Sequence, residues 1–118
     1  MKQTIKRGDI FFAELHNYDE RSQVQSGRRP VLVVSCAQNL KTSNVITVVT
    51  LSSQLKSMHI PCHIFVPKEH TGLPRDSVVL CEQPMSIDTY LLKEKVGSIQ
   101  NSEHMTRVDN GLRIQLSL

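Results

Sequence analysis

Apolar residues fall into short runs with polar intervals, and the first run, residues 10–15, follows the turn-like Arg7-Gly8-Asp9 and predicts a strand. Residues 16–27 are polar and almost free of aliphatic side chains, which predicts a long loop, and loops of this length are usually functional or mobile. Residues 31–36 and 45–51 are continuous, β-branched-rich runs separated by a polar turn at 38–44, so they predict an antiparallel pair in the core. Residues 60–66 predict another strand, with Pro61 near its start, where a missing N–H is tolerated. A loop over 67–75 carries Gly72 and Pro74. Asp76 is suited to an Asx-turn there, and residues 77–81 form the next apolar run. Glu82-Gln83-Pro84 is expected to break that strand, residues 86–88 to resume pairing briefly, and residues 95–99 to make a short final strand.

The period then changes. Asn101 or Ser102 can cap a helix beginning near Glu103, an acid well placed in a first turn, and Met105, Val108, Leu112 and Leu116 form one stripe for core packing. Gly111 costs such a helix about 1 kcal/mol relative to Ala, so the helix must draw on tertiary contacts. Six or seven short strands followed by one helix predict a mainly β (α+β) fold, a small curled sheet or barrel with the helix packed on it.

The 118 residues fit a single domain spanning 1–118, and 39% apolar with 21% charged residues excludes disordered and fibrous classes. Trp is absent and aromatics make up 4%, which argues against an aromatic platform for stacking bases. The net charge of +3 is compatible with an anionic partner without requiring one. Arg21, Arg28, Arg29, Lys41, Lys56, Lys68 and Arg75 lie mostly between the apolar runs, where binding groups tend to sit; a solvated loop surface accounts for the same pattern. The N-terminus has no apolar signal region and no run approaches the ~20 residues that span a bilayer, which points to a cytoplasmic protein with no membrane partner. Cys36, Cys62 and Cys81 are widely spaced and lack a CxxC pair, so they read as reduced core thiols rather than zinc ligands or a disulfide. His59 and His63 are separated by Pro61, which argues against a helical metal pair.

Two segments carry candidate chemistry. In Gly27-Arg28-Arg29-Pro30, proline pushes Arg29 towards an extended conformation at the mouth of a strand, and a pre-oriented guanidinium suits a phosphate. Surface ion pairing is the alternative. Ser52-Ser53-Gln54 places three hydrogen-bonding side chains where a strand leaves the core, either as a terminating turn or as a polar cluster facing Arg29.

The ordered set Arg7-Gly8-Asp9-Ile10, Gly27-Arg28-Arg29-Pro30-Val31-Leu32-Val33-Val34, Leu51-Ser52-Ser53-Gln54, Pro61, Arg75-Asp76-Ser77-Val78-Val79-Leu80, Glu82-Gln83 and Ile87-Asp88 resembles the MazF/PemK family of toxin endoribonucleases. The likeness runs from about Lys6 to Leu118. It implies an SH3-like barrel with a C-terminal helix, a homodimer, and cleavage of single-stranded RNA without a metal or other cofactor, restrained by a cognate antitoxin. By position, the family's catalytic arginine falls on Arg29 and its catalytic hydroxyl on Ser52. Ser53, Gln54 and Gln83 match RNA-binding positions, and Arg28 is the adjoining candidate. Val24 stands where the family commonly has an acid, Ser52 where it usually has Thr, and Met85 where it often has Lys or Arg. A non-catalytic binding module of the gyrase-poison kind, or a decayed toxin that only binds an antitoxin, remains the alternative.

Overall fold

Period-two alternation sends Ile10 and Phe12 to one apolar cluster and Phe11 and Ala13 to another, and the later strands repeat the division with Leu32 against Val31 and Val33, and Val49 and Leu51 against Ile46 and Val48. Both sheet faces are therefore covered. A computed structural model describes residues 4–16, 20–22, 25–55 and 59–118. Its strands are β1 (Asp9–Leu15), β2 (Gly27–Val33), β3 (Val45–Ser52), β4 (His63–Val66), β5 (Ser77–Asp88) and β6 (Leu92–Ser98), with helices α1 (Ala37–Thr42) and α2 (Ser102–Leu116). They form one antiparallel sheet in the order β4-β5-β3-β2-β1-β6.

The expected small barrel is present as a curled sheet whose outer strands, β4 and β6, share no ladder. Bare backbone fills that gap. A Cβ on Gly97 would lie 2.5 Å from the carbonyl oxygen of Thr71, and one on Gly72 would lie 2.7 Å from that of Val96, so the segment after β4 abuts β6 where neither chain has a side chain.

Helix α2 starts where expected. Asn101 Oδ1 accepts the N–H groups of Glu103 and His104 at 2.9 and 3.2 Å, answering two donors that the helix leaves open. Val108 is fully buried, and Met105 and Leu112 pack against the same cluster, but Leu116 is 52% exposed and lies beyond the core stripe. Gly111 has a packing reason: a Cβ there would sit 2.9 Å from Cys81 Sγ, so its absence lets the helix press onto β5.

Several boundaries differ from the sequence expectation. The segment 38–44 is largely helical rather than a turn: Leu40 N–H donates to Cys36 O at 3.1 Å and Ser43 N–H to Asn39 O at 2.9 Å, while Leu40 packs against the second cluster. Cys36, immediately before this helix, is exposed and not a core thiol; Cys62 and Cys81 are buried and free. Strand β2 starts at Gly27, because Gly27 and Arg28 already pair with Leu15 and Glu14. Strand β4 starts only at His63, after a turn in which His63 N–H donates to Ile60 O at 2.9 Å. Strand β5 does not break at Glu82-Gln83-Pro84. Its register to β3 shifts between Val48↔Met85 and Thr50↔Leu80, and Pro84 lies in the resulting bulge, where no ladder donor is required. Val24 and Lys56 lie outside the described residues.

Candidate active site

Two neighbouring strands carry the site. Pro30 stands opposite Phe12 of β1, one residue before the β2–β3 ladder begins at Val31↔Thr50, so its missing N–H deprives no β3 partner. Continuing that antiparallel register two residues outwards brings Arg29 opposite Ser52, the last residue of β3. Both residues line one cleft of about 310 Å³.

Ser53 and Gln54 line it as well, and Phe12, Pro30, Leu51 and Leu73 supply its apolar surface. Pro74, Arg75 and Ser77, from the loop before β5 and the first residue of that strand, complete the lining. No carboxylate is among the lining residues described, whereas two guanidinium groups are, so the cleft is built for negative charge.

Arg29 donates from Nε to the carbonyl oxygen of Ser26 at 2.9 Å. Its terminal nitrogens make no hydrogen bond or ion pair among the described residues, leaving a paired donor edge for an anion. Ser52 Oγ accepts the N–H of Gln54 at 3.1 Å, a bond that shapes the turn and leaves the hydroxyl hydrogen for another acceptor. The two readings of Ser52-Ser53-Gln54 thus coexist, a strand-ending turn whose side chains also line the cleft.

Arg28 and Gln83 occupy different places. Arg28 is not among the cleft-lining residues; it pairs with Glu14 at 3.4 Å and with Glu94, and its guanidinium lies 4.9 Å from the centre of the Phe12 ring. Gln83, on β5, is also outside the lining and accepts the N–H of Gln25 at 2.9 Å, tethering the chain that leads into β2. Met85 is half-buried and packs against the second apolar cluster, so the residue at that position serves the core. Among the described residues, no group of three or more His, Cys, Asp or Glu side chains is arranged to hold a metal ion.

The family model for the PemK-like, MazF-like toxins of type II toxin–antitoxin systems matches residues 6–116. The chain belongs to this family. It is 34% identical over 114 residues to endoribonuclease EndoA of Bacillus subtilis strain 168, an alignment covering 97% of this chain and 96% of that protein. The fold is shared with a crystal structure of MazF from Deinococcus radiodurans, at a TM-score of 0.78 and 20% identity, covering 99% of this chain and 100% of that one. It is also shared with a mycobacterial endoribonuclease solved in complex with its cognate antitoxin, at a TM-score of 0.77 and 18% identity, covering 95% and 94% of the two chains.

Among the cleft residues of this PemK-like, MazF-like chain, Arg75 had not been singled out as a site residue. Its local signals are its place among the basic residues between apolar runs, a position after Gly72-Leu73-Pro74 and membership of the Arg75-Asp76-Ser77 motif. Asp76 ties the loop, although not as the local turn expected: its Oδ1 accepts the N–H of Lys68 at 2.9 Å.

Proposed function

We propose that this chain is the toxin of a type II toxin–antitoxin pair and acts as an endoribonuclease on single-stranded RNA in the cytoplasm, without a metal or other cofactor, as one PemK/MazF-like catalytic domain. The observation that carries this reading is the cleft shared by Arg29 and Ser52 in a chain 34% identical to an endoribonuclease.

The chemistry follows from the donors. The 2′-hydroxyl of the substrate gives up its proton to solvent and attacks the adjacent phosphorus; the bond to the 5′-oxygen breaks, and that oxygen takes a proton from solvent. The products carry 2′,3′-cyclic phosphate and 5′-hydroxyl ends. Charge grows on the non-bridging oxygens during attack, and the free edge of Arg29 stabilises it with charge-assisted hydrogen bonds while the Ser52 hydroxyl adds a neutral donor. A guanidinium donates hydrogen bonds and accepts none, so the contribution of Arg29 is electrostatic. Ser53 and Gln54 extend the polar wall along the strand of RNA. DNA lacks the attacking hydroxyl and is not cut.

Inhibition is by an acidic antitoxin segment that covers the same positive cleft and competes with RNA, and its grip weakens with salt. The antitoxin as partner is supported by the structural relative solved with its cognate antitoxin. The working form is a homodimer, to be checked by light scattering at micromolar concentration.

The test is cleavage of mixed-sequence single-stranded RNA in EDTA by wild type and Arg29→Ala, with end-group analysis. Cyclic-phosphate ends from wild type and a loss of ~100-fold or more in the variant are expected. Folded wild type that cuts no RNA overturns the reading.

A further inference from the structure

Arg75 lines the cleft together with Arg29 and Ser52, from the loop that leads into β5, and the backbone of that loop is held at several points. Leu73 is buried and donates its N–H to Thr71 Oγ1 at 3.0 Å, and Thr71 is itself fully buried. Asp76 Oδ1 accepts the N–H of Lys68, and Ser77 Oγ donates to the carbonyl oxygen of Arg75 at 3.2 Å. The main chain at Arg75 is therefore fixed on both sides, while the exposed guanidinium makes no ion pair or hydrogen bond among the described residues.

Two guanidinium groups share a cleft with no lining carboxylate, a field that draws in anions. One phosphate at Arg29 answers only one of them. A single-stranded polyanion brings further phosphates at fixed intervals, and a cation on a braced loop can meet one without ordering its own backbone.

We propose that Arg75 is a substrate-positioning cation that binds a phosphate flanking the scissile one, so that the RNA is held at two points, Arg29 acting on the reacting phosphate and Arg75 on its neighbour. The inference rests on the ribonuclease reading for the identity of the strand. Arg75 acts in holding the strand, before and during attack alike, and its loss therefore falls on binding.

The experiment measures binding of a mixed-sequence RNA with every 2′-hydroxyl O-methylated, in EDTA, over a range of salt, for wild type, Arg75→Ala and Arg75→Lys. Cleavage of the unmodified RNA by the same proteins is followed in parallel, with thermal midpoints as the folding control. Arg75→Ala is expected to bind about tenfold more weakly and to lower the slope of log K against log salt by about 0.7, one contact on a single strand. Arg75→Lys is expected to restore the slope and only part of the affinity, since a point charge replaces a bidentate fork. In cleavage, the Arg75→Ala loss appears mainly as a rise in KM, in contrast to the loss of kcat in Arg29→Ala. An Arg75→Ala protein with wild-type affinity and slope overturns the proposal, as does a wild type that does not bind the methylated RNA. If wild type binds it but does not cut unmodified RNA, the ribonuclease reading fails, while a weaker, flatter salt response in Arg75→Ala still supports the phosphate contact.

Discussion

Gln83 Oε1 accepts the N–H of Gln25 at 2.9 Å, and the next residue, Ser26, accepts Arg29 Nε through its carbonyl oxygen at the same distance. The β5 bulge is thereby linked to the proposed catalytic guanidinium through two backbone residues. Gln83→Ala should release the loop and misplace Arg29. A small misplacement of a catalytic group can cost 10²-fold, and a fall of about tenfold or more in the single-turnover rate is expected. Gln83→Glu keeps an acceptor at the same reach and should retain more of the rate. Equal losses in both variants would count against this linkage.

The neighbouring arginines should separate sharply. Arg29 has an open donor edge in the cleft, whereas Arg28 is occupied by Glu14 and Glu94 and stands outside the lining. Arg28→Ala should therefore reduce RNA cleavage by less than about tenfold, far less than the loss in Arg29→Ala. Initial rates on one RNA at one salt concentration decide the matter, and comparable losses would relocate the site.

Ser52→Ala removes a donor and should lower kcat by about 10²-fold, while Ser52→Thr restores the hydroxyl with a stiffer rotamer and should keep activity. A fully active Ser52→Ala protein would show that the hydroxyl only shapes its turn, through the bond it accepts from Gln54.

At Gly111 the sign of an ordinary helix substitution should reverse. Ala in an exposed helix position gains about 1 kcal/mol over Gly, but here its methyl group would meet Cys81 Sγ at 2.9 Å and Cys81 Cβ at 3.2 Å. Overpacking of this kind costs about 1–3 kcal/mol, so Gly111→Ala should lower the urea midpoint. Adding Cys81→Ala should recover part of the loss, a non-additivity that a double-mutant cycle reads directly.

Stability should fall at both ends of the pH range. Burial, reinforced by Cys62, Glu82 and Asp109, pushes the Cys81 thiol up to about 12. The unfolded chain releases this proton from about pH 9 while the folded chain keeps it, so the associated stability is full below pH 9 and is lost as pH rises towards 12. Desolvation, with smaller effects from His70 and Arg107, holds His104 below the ordinary histidine value of 6.5. Its neutral form favours the fold above that value, and stability declines as pH drops through it and below. Urea midpoints across the range check both limbs. Cys81→Ala should flatten the alkaline limb and His104→Gln the acid one.

The strand runs were legible because both sheet faces are apolar and each run is β-branched. The missed elements follow from residues that serve two purposes. Helix α1 leaves no periodic signal in the sequence, because Leu40 is its one core anchor among polar side chains. Pro84 looked like a terminator because a one-dimensional pattern does not show that β3 bulges the strand around it. An ordered motif marks Arg29 and Ser52 as candidates, and their proximity has a simple basis in the β2–β3 register. Arg75 needed three dimensions: nothing in its local sequence says that the loop after Gly72 returns to the mouth of β2 and β3.

That return depends on the glycine seam. Gly72 immediately precedes the loop that carries Leu73, Pro74 and Arg75, and it is held against Val96 and Gly97 at a separation no side chain could occupy. The position of Arg75 relative to Arg29 is consequently anchored at a seam whose glycines lie outside the cleft lining. A side chain at Gly72 or Gly97 would push this loop away from β6 and move Arg75 relative to Arg29 while leaving every cleft-lining residue the same.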